Sequence, residues 1–242
     1  MAGIKIIVAY DKSSEDYREF LAQQDPFNEH YVPIMGGKAL GDIPEKFSDM
    51  QGDDTGENLS ELNPYICEMS QLYWAWKHLN ELGNPDHIGL CHYRRVIIPW
   101  AWTYHGLSEN EMMINVQTHR NMNLHELSQH NPPLTNEAFE IIESIFTGEK
   151  DRILLNEWKY RSTSPRCNIF FMDINEFNRF MQFVERVIGM LDPIIQGSKT
   201  GAYQRRAAAY ILEFVNGFYF EHATTIRGFH RLHFGASLHY LM

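Results

Sequence analysis

His92, Tyr93, Arg94 and Arg95 follow one another directly after "HIGLC", an apolar run that is typical of a buried strand. Two guanidinium groups at such a position can form paired hydrogen bonds with phosphate oxygens and neutralise a diphosphate. In open α/β sheets, ligands bind beyond the carboxyl ends of the strands, where these side chains leave the sheet. The alternative is a surface arginine pair that bridges nearby carboxylates. The strand-end position favours phosphate binding.

A second candidate strand end carries Asp11 and Lys12. The run before them, residues 4–10 ("IKIIVAY"), is rich in β-branched residues and predicts a buried first strand. Asp11 and Lys12 thus occupy the position on the first strand that corresponds to the arginine pair on the later one. We expect both groups at the same edge of the sheet.

The predicted elements follow the order strand, loop, helix, strand, which indicates an α/β sandwich with a largely parallel sheet. Asn63-Pro64 predicts the start of a helix that runs to about Leu82 and is closed by Gly83. Residues 100–133 show only weak periodicity. No internal repeat or linker is found, so we expect one domain over residues 1–242. Further predicted elements are strands at 152–155 ("RILL") and 168–173 and helices at 135–146, 174–191 and 202–223.

Composition excludes several classes of protein. The chain has 242 residues, 44% of them hydrophobic, and a net charge of −10, which is unlike a general polyanion-binding surface. Its three cysteines lie far apart without a CxxC pair, which favours reduced thiols over disulfides or a zinc site. No run of 18 apolar residues predicts a membrane span, and the N-terminus does not read as a signal peptide. We therefore expect a cytoplasmic protein, with peripheral membrane association left open.

Five segments of the chain together form a recognisable pattern. They are YVPIMGG (31–37), DDTGENLSELNPYICEMSQLYWAWK (53–77), GLCHYRR (89–95), NIFFM (168–172) and, less well, YQRRAAAYILEF (203–214). This pattern resembles the DUF4422 family of bacterial and phage glycosyltransferase-like proteins, and the resemblance spans nearly the whole chain and is strongest over residues 31–98. It implies a single GT-A-like (Rossmann-like) α/β domain with a mostly parallel central sheet flanked by helices. Residues 1–98 would form the nucleotide-sugar-binding half, and residues 99–242 the acceptor-side half with a closing helix.

The resemblance implies a glycosyltransferase that moves a sugar from a nucleotide-sugar donor, most simply UDP-linked, to a carbohydrate acceptor in surface polysaccharide synthesis. Some relatives resemble galactofuranosyltransferases. Most GT-A enzymes hold a divalent metal on an Asp-x-Asp motif, and this chain contains no Asp-x-Asp. Fixed cations can instead stabilise the charge that develops on the leaving phosphate. We therefore expect Arg94 and Arg95 to face the diphosphate without a metal cofactor, with His92 and Tyr93 orienting donor or acceptor.

Further candidates for substrate binding lie in the family segments and before the last helix. Asp53 and Asp54 could accept hydrogen bonds from sugar or ribose hydroxyl groups, or they could form an Asx-turn in a loop. Asn58 could bind substrate, and it could equally well be the cap of a helix. Lys77 could reach a phosphate or remain solvated, and Arg206 is a further candidate contact to substrate.

An inverting transfer needs a base for the acceptor hydroxyl, and three residues are candidates: Glu213, Asp173 and His92. Glu213 lies in an otherwise apolar helix and could equally pair with Arg205 or Arg206. Asp173 is the rival by position, just beyond the "NIFFM" strand.

Two alternatives to a polysaccharide enzyme stay open. Phage relatives could decorate DNA bases, although the acidic balance argues against a nucleic acid partner. A non-catalytic nucleotide- or carbohydrate-binding module could retain the fold without the base. The histidines do not form a recognisable metal-binding motif; these are His119, His125, His130, His230 and His233.

Overall fold

The computed structural model describes residues 3–25, 29–97, 107, 110–118, 120–130, 134–232 and 238–240. His119 and His233, and much of the segment 100–133, lie outside these residues. All structural statements below refer to the described part of the chain.

One mixed sheet of eight strands forms the centre of the molecule. Its main path runs β2-β1-β3-β6-β5-β7, and β4 and β8 extend it beside β3. On this path β6 alone runs opposite to the rest, because it pairs antiparallel with both β3 and β5. The predicted α/β class with a mostly parallel central sheet is thus confirmed. The strands are β1 Ile4–Tyr10, β2 Tyr31–Met35, β3 His87–His92, β4 Arg95–Ile97, β5 Glu111–Thr118, β6 Thr163–Asp173, β7 His230–Leu232 and β8 Leu238–Tyr240.

Both faces of the sheet are buried, which explains why the inner strands are apolar without strict alternation. In β1, Ile7 and Ala9 pack into the larger core cluster with the helices, whereas Ile6 and Val8 pack into a smaller cluster on the opposite face. Strands from 1–98 and from 99–242 share this one sheet. The helices are α1 Arg18–Gln24, α2 Asn63–Ile66, α3 Met69–Lys77, α4 Asn123–His130, α5 Thr135–Ile145, α6 Glu149–Lys159, α7 Ile174–Met190, α8 Asp192–Lys199 and α9 Ala207–Thr225.

Helix α9 is buried over most of its surface and packs against β6 and most of the other helices. This explains its nearly continuous apolar sequence, since a helix that is hydrophobic all round belongs in a core. It begins at Ala207, five residues later than predicted from the sequence.

Two predictions of local structure are wrong. Residues 152–155 lie in α6 and not in a strand. The single helix predicted from Asn63 to Leu82 is broken at Cys67, whose φ of +52° is left-handed. Asn63 does not cap this helix, because its side chain instead donates to the Cys67 carbonyl and to Ser70 Oγ. Helix α3 ends at Lys77, five residues before the predicted end at Leu82, and Gly83, with φ +81°, lies in the turn that follows it.

Candidate active site

A cleft of about 640 Å³ opens at the carboxyl ends of β1, β2 and β3. Its walls combine these strand ends with the α2–α3 junction, the middle of β6 and the start of α9. Eight of the residues predicted from the sequence line it: Asp11, Lys12, His92, Tyr93, Arg94, Arg95, Arg206 and Glu213. The structure therefore brings together groups that are up to 200 residues apart in the chain.

Gln71, on α3, joins the ends of β1 and β2 at the floor of the cleft. Its Nε2 donates to the carbonyls of Tyr10 at 2.7 Å and Ile34 at 3.1 Å, and the side chain is 2% exposed. Gly36 follows β2 and packs so closely that an added Cβ would lie 2.7 Å from Gln71 Cδ. This glycine is required by close approach, and the loop it begins forms part of the cleft wall.

Asp11 and Lys12 occupy the rim beyond β1. Asp11 Oδ1 accepts hydrogen bonds from the Ser13 amide at 2.7 Å and the Ser13 hydroxyl at 2.6 Å, so the aspartate closes a local turn. Lys12 Nζ lies 2.7 Å from Asp42 Oδ2, and both side chains are well exposed. An ion pair this exposed contributes little stability, and Lys12 can exchange its partner for an anionic ligand.

The end of β3 carries the segment from His92 to Arg95. Arg94 is exposed and lies over the Tyr93 ring at 5.6 Å. Arg95 begins β4, and its Nη1 donates to Cys167 Sγ at 3.1 Å. His92 Nε2 lies 2.6 Å from the Cys167 carbonyl oxygen. Because a carbonyl only accepts, Nε2 carries a proton, which leaves Nδ1 as the atom at which the ring could take up another.

A bulge in β6 holds the cleft side chains in place. Between Ile114 and Val116, two steps along β5 are matched by five steps along β6. Cys167 and Asn168 within this bulge have φ values of +64° and +49°. Bulges of this kind redirect side chains and are over-represented beside active sites.

Glu213, on α9, faces the same bulge. The Cys167 amide donates to Glu213 Oε1 at 2.8 Å. The ion pairs found among the described residues do not include one between Glu213 and Arg205 or Arg206. The carboxylate is thus anchored by a backbone amide in the lining of the cleft.

Two thiols line the cleft beside the arginines. Burial, and next the charge of Glu68, raise the pKa of Cys67 to about 11 despite the nearby Arg206. Burial, and next the charge of Glu213, raise the pKa of Cys167 to about 11 as well. Both thiols are therefore protonated at neutral pH and do not compensate the arginine charges.

Three predicted residues from the DDTGEN segment lie outside the cleft lining. Asp53 is completely buried and accepts hydrogen bonds from the amides of Gly37 and Lys38 and the hydroxyls of Ser60 and Ser70. It therefore fixes the loop after β2 and has no surface for a sugar. Asn58 closes a local turn, and neither it nor Asp54 lines the cleft; Asn58 bonds the Gly56 carbonyl and the Ser60 amide.

Lys77 and Asp173 also lie elsewhere. Lys77 pairs with Glu57 at 2.9 Å and Glu185 at 3.2 Å. Asp173 caps α7, because its side chain accepts hydrogen bonds from the amides of residues 175 and 176. In the sheet it lies opposite His87, at the end of β3 that is far from the cleft. At about 3.3 Å per residue, this strand separates it from the cleft by roughly 17 Å. The structure therefore does not place Asp173 where a base could reach substrate bound in the cleft.

The cleft is locally basic in an acidic protein. Five basic residues line it together with three carboxylates: Lys12, Arg94, Arg95, Arg205 and Arg206 against Asp11, Glu68 and Glu213. The arginine–carboxylate ion pairs of the described chain all involve arginines outside the cleft. Four guanidinium groups thus face one space without a carboxylate partner, which is the arrangement expected of an anion site.

The divalent cation typical of GT-A enzymes does not fit these donors. The described residues contain no group of three His, Cys, Asp or Glu side chains arranged to hold a metal ion. Each carboxylate in the cleft already accepts a hydrogen bond from the protein, and the arginines would repel a divalent cation.

Several residues of the site were not predicted from the sequence. Four of them line the cleft, namely Cys67, Glu68, Gln71 and Cys167, and Asn168 lies behind them in the bulge of β6. Glu68 and Gln71 lie in the family segment 53–77, which was the available signal. Nothing local marked Cys167, because a left-handed bulge inside an apolar strand leaves no pattern in the sequence.

The fold is similar to that of a known glycosyltransferase. The apo structure of the bifunctional glycosyltransferase WbbM superposes with a TM-score of 0.69 at 18% identity, covering 99% of this chain and 45% of WbbM. The chain therefore spans less than half the length of WbbM. The mannosyltransferase Ktr4p from S. cerevisiae matches more weakly, with a TM-score of 0.37 at 12% identity, covering 89% of this chain and 66% of Ktr4p. The search of curated proteins gave no match.

The sequence matches the family described as "Domain of unknown function (DUF4422)" over residues 6–224, and the protein belongs to this family. The resemblance inferred from the motifs is thereby confirmed. None of the helices in the described ranges is long and apolar enough to cross a membrane.

Proposed function

We propose that the protein is a glycosyltransferase that uses a nucleotide-sugar donor, with UDP as the nucleotide and a carbohydrate as the acceptor. The observation that carries the proposal is the cleft itself, in which four arginines face one space at the carboxyl ends of parallel strands and form no ion pair with a carboxylate of the described residues. Five cations and three carboxylates line the cleft. The excess of two positive charges matches the two ionised phosphates of a nucleotide sugar. The glycosyltransferase-like fold and the family membership support the same conclusion.

In this proposal, Arg94 and Arg95 bind the diphosphate and stabilise the charge that develops as the bond to the sugar breaks. Lys12 and Arg206 complete the basic wall. Glu213 takes the proton from the acceptor hydroxyl, since its carboxylate is held by the Cys167 amide on the edge of the same cleft. Metal ions take no part in this scheme, and the protein acts in the cytoplasm on a surface polysaccharide precursor. The net charge of −10 gives no support to a DNA acceptor.

Binding and turnover can be tested separately. Thermal unfolding with UDP, GDP, UDP-galactose, UDP-glucose and GDP-mannose identifies the nucleotide, because a ligand that binds only the folded state raises the Tm. Release of nucleoside diphosphate from the stabilising donor then measures turnover. Stabilisation without any donor cleavage, with or without added saccharides, would instead identify a non-catalytic binding module. No stabilisation by any of these compounds would contradict the proposal.

A further inference from the structure

A chain of three polar side chains crosses the core and ends in the cleft. Asn216 Nδ2, on α9, donates to Asn168 Oδ1 at 3.1 Å. Asn168 Nδ2, in the β6 bulge, donates in turn to Glu68 Oε1 at 2.8 Å. Glu68 lies at the α2–α3 junction and lines the cleft. Three separate elements therefore converge on one carboxylate.

A purely structural role does not account for this series of three polar side chains. Asn216 is completely buried, and its amide nitrogen contacts only Asn168 Oδ1 and, at 3.6 Å, Met69 Sδ. Its Oδ1 has no partner among the described residues. Cys167, next to Asn168 in the bulge, also adopts a left-handed backbone conformation with a φ of +64°, which is unfavourable for residues other than glycine, asparagine and aspartate. Buried amides and backbone strain both cost free energy, and such costs concentrate at functional sites.

A second buried asparagine provides the contrast. Asn123 is also completely buried, but its Nδ2 donates to two backbone carbonyls, those of Trp158 and Thr163. Its Nδ2 therefore satisfies main-chain groups, which is an ordinary structural role, although its Oδ1, like that of Asn216, has no partner among the described residues. The amide nitrogens of Asn216 and Asn168 instead bond side chains: Asn168 Oδ1 and Met69 Sδ for Asn216, and the Glu68 carboxylate for Asn168.

The position of Glu68 restricts what it can bind. Its Oε1 accepts from Asn168, and no hydrogen bond from the described residues reaches its Oε2. A diphosphate held by the arginines would be repelled by a carboxylate. The carboxylate must then face an uncharged part of the ligand that donates hydrogen bonds, and sugar hydroxyl groups do so. Glu68 lines the same cleft as Arg94 and Arg95, and under the proposed function this cleft binds the donor.

We propose that Glu68 binds hydroxyl groups of the sugar in the nucleotide-sugar donor, and that Asn168, held by Asn216, is the residue that positions it. The assignment rests on the proposed glycosyltransferase function. It makes Glu68 a determinant of which sugar is accepted, separate from the arginines that bind the diphosphate and from Glu213.

The test is the difference in affinity between a nucleotide sugar and its nucleoside diphosphate, measured by calorimetry with UDP and with whichever UDP-sugar stabilises the wild type. Glu68→Gln is expected to weaken binding of the UDP-sugar by about tenfold, while affinity for UDP stays within about twofold. Asn168→Gly removes the amide and tolerates the positive φ, so the same selective loss is expected, reduced in size. The matched control Asn123→Ala is expected to lower the Tm and leave the affinity difference unchanged.

The outcomes separate this inference from the proposed function. A wild-type protein that binds no nucleotide overturns both. Wild-type affinities that are equal for UDP and every UDP-sugar overturn the sugar contact and leave the nucleotide site in place. An undiminished preference for the UDP-sugar in Glu68→Gln also overturns the inference. If Glu68→Gln does not fold, Asn168→Gly and Glu68→Asp give the same comparison.

Discussion

Arg94 and Arg95 are adjacent in the sequence but stand in different surroundings, and this difference gives the first prediction. Arg94→Ala should weaken UDP binding by about 1.5–3 kcal/mol, because one charge-assisted phosphate contact is lost. Its Tm should hardly change, since the side chain is exposed and lies over the Tyr93 ring. Arg95→Ala should lose affinity and also some stability, because Arg95 bonds Cys167 Sγ. Calorimetry and thermal unfolding measure both quantities.

The matched control for these arginines is Arg186→Ala, an exposed arginine on α7 that does not line the cleft. It should bind UDP like the wild type. Unchanged affinity in both Arg94→Ala and Arg95→Ala would exclude the diphosphate assignment.

The second prediction concerns Glu213. Glu213→Gln retains an oxygen that can accept the Cys167 amide, so the variant should fold and bind donor normally. If Glu213 is the base, transfer should slow by at least about a hundredfold, the lower range of general-base catalysis. Rates at saturating donor measure this loss. Glu185→Gln, which changes a carboxylate bound to Tyr73 and Lys77 outside the cleft, serves as control. A stable and fully active Glu213→Gln would remove it from the mechanism and leave His92 as the candidate base.

At the scale of single residues, the sequence reveals cleft residues that are neighbours in the chain. It does not reveal those that the fold brings together from distant segments. The strand-end groups around Arg94 could be predicted because one short segment contains both the strand and its polar end. Asp53 shows the opposite case: a paired aspartate in a turn-rich segment reads as a ligand, yet four hydrogen bonds inside the protein use both of its oxygens. Glu68 and Asn168 are 100 residues apart, and no local pattern connects them.

At the scale of elements, the turn after β2 gives the third prediction. Gly36→Ala places a methyl group against Gln71 and Asn63, so Gln71 must release the ends of β1 and β2. The change should destabilise the protein by roughly 1–3 kcal/mol and weaken UDP binding as the cleft floor shifts. Urea unfolding and calorimetry measure the two effects. Gly189→Ala is the control, because its Cβ meets no atom within 4 Å in helix α7, and it should stabilise by about 0.5–1 kcal/mol. Equal behaviour of the two variants would show that Gly36 is not constrained by packing.

A buried ion network ties α9 to its neighbours and sets the fourth prediction. Glu221 accepts from Arg161 at 2.6 Å and from Arg231 at 2.8 Å. Burial alone raises the pKa of Glu221, but the hydrogen bond and charge of Arg231, with the charge of Arg161, outweigh it and lower the pKa below its ordinary value of 4.5. A carboxylate with a lowered pKa in the folded state stabilises the protein above its unfolded pKa. This stabilisation is lost as the pH falls through the folded value.

Glu221→Gln should therefore destabilise the protein at pH 7 by about 3–5 kcal/mol, because two arginines lose their buried partner. The difference from the wild type should begin to shrink below about pH 4.5, where Glu221 of the unfolded wild-type chain becomes protonated, and should go on shrinking as the pH falls through the lower pKa of the folded state. Urea titrations across this range provide the measurement. Glu157→Gln removes an exposed partner of the same Arg161 and should cost less than about 1 kcal/mol. A pH-independent difference would contradict the ionised state of Glu221.

Elements with long, regular patterns could be predicted, and short or broken ones could not. Strand β1 and helix α7 match their predicted ranges closely because their apolar periodicity is clear. The run at 152–155 is too short to distinguish strand from helix by periodicity. The start of α6 indicates a helix more clearly, because Asp151 in its first turn accepts a hydrogen bond from the amide of the N-cap residue Gly148. The break at Cys67 arises from tertiary contacts, since Asn63 bonds the Cys67 carbonyl and Ser70 across it.

For the whole molecule, the contrast between a net charge of −10 and a basic cleft determines which ligands can approach. An acidic surface repels extended polyanions, whereas a small anion can be focused into a cleft lined by four arginines. This charge distribution favours a nucleotide sugar over a nucleic acid as substrate. Under the proposed function it also bears on the metal, because the same guanidinium groups would supply the positive charge that a divalent ion otherwise brings to a diphosphate.

We therefore expect donor binding and turnover to survive excess EDTA. A catalytic metal supplies several kcal/mol of charge stabilisation, so its removal would abolish turnover, whereas here added Mn²⁺ or Mg²⁺ should change the rate by less than about threefold. Raising the salt concentration should weaken donor binding, since screened arginine–phosphate contacts carry the affinity. The rates are compared in chelator, in Mn²⁺ and in Mg²⁺ at fixed ionic strength. Activity that disappears with EDTA and returns with Mn²⁺ would contradict metal independence. The carboxylates of the cleft, Glu68 and Glu213, would then be the first residues to test as ligands, because Asp53 has no free oxygen to offer.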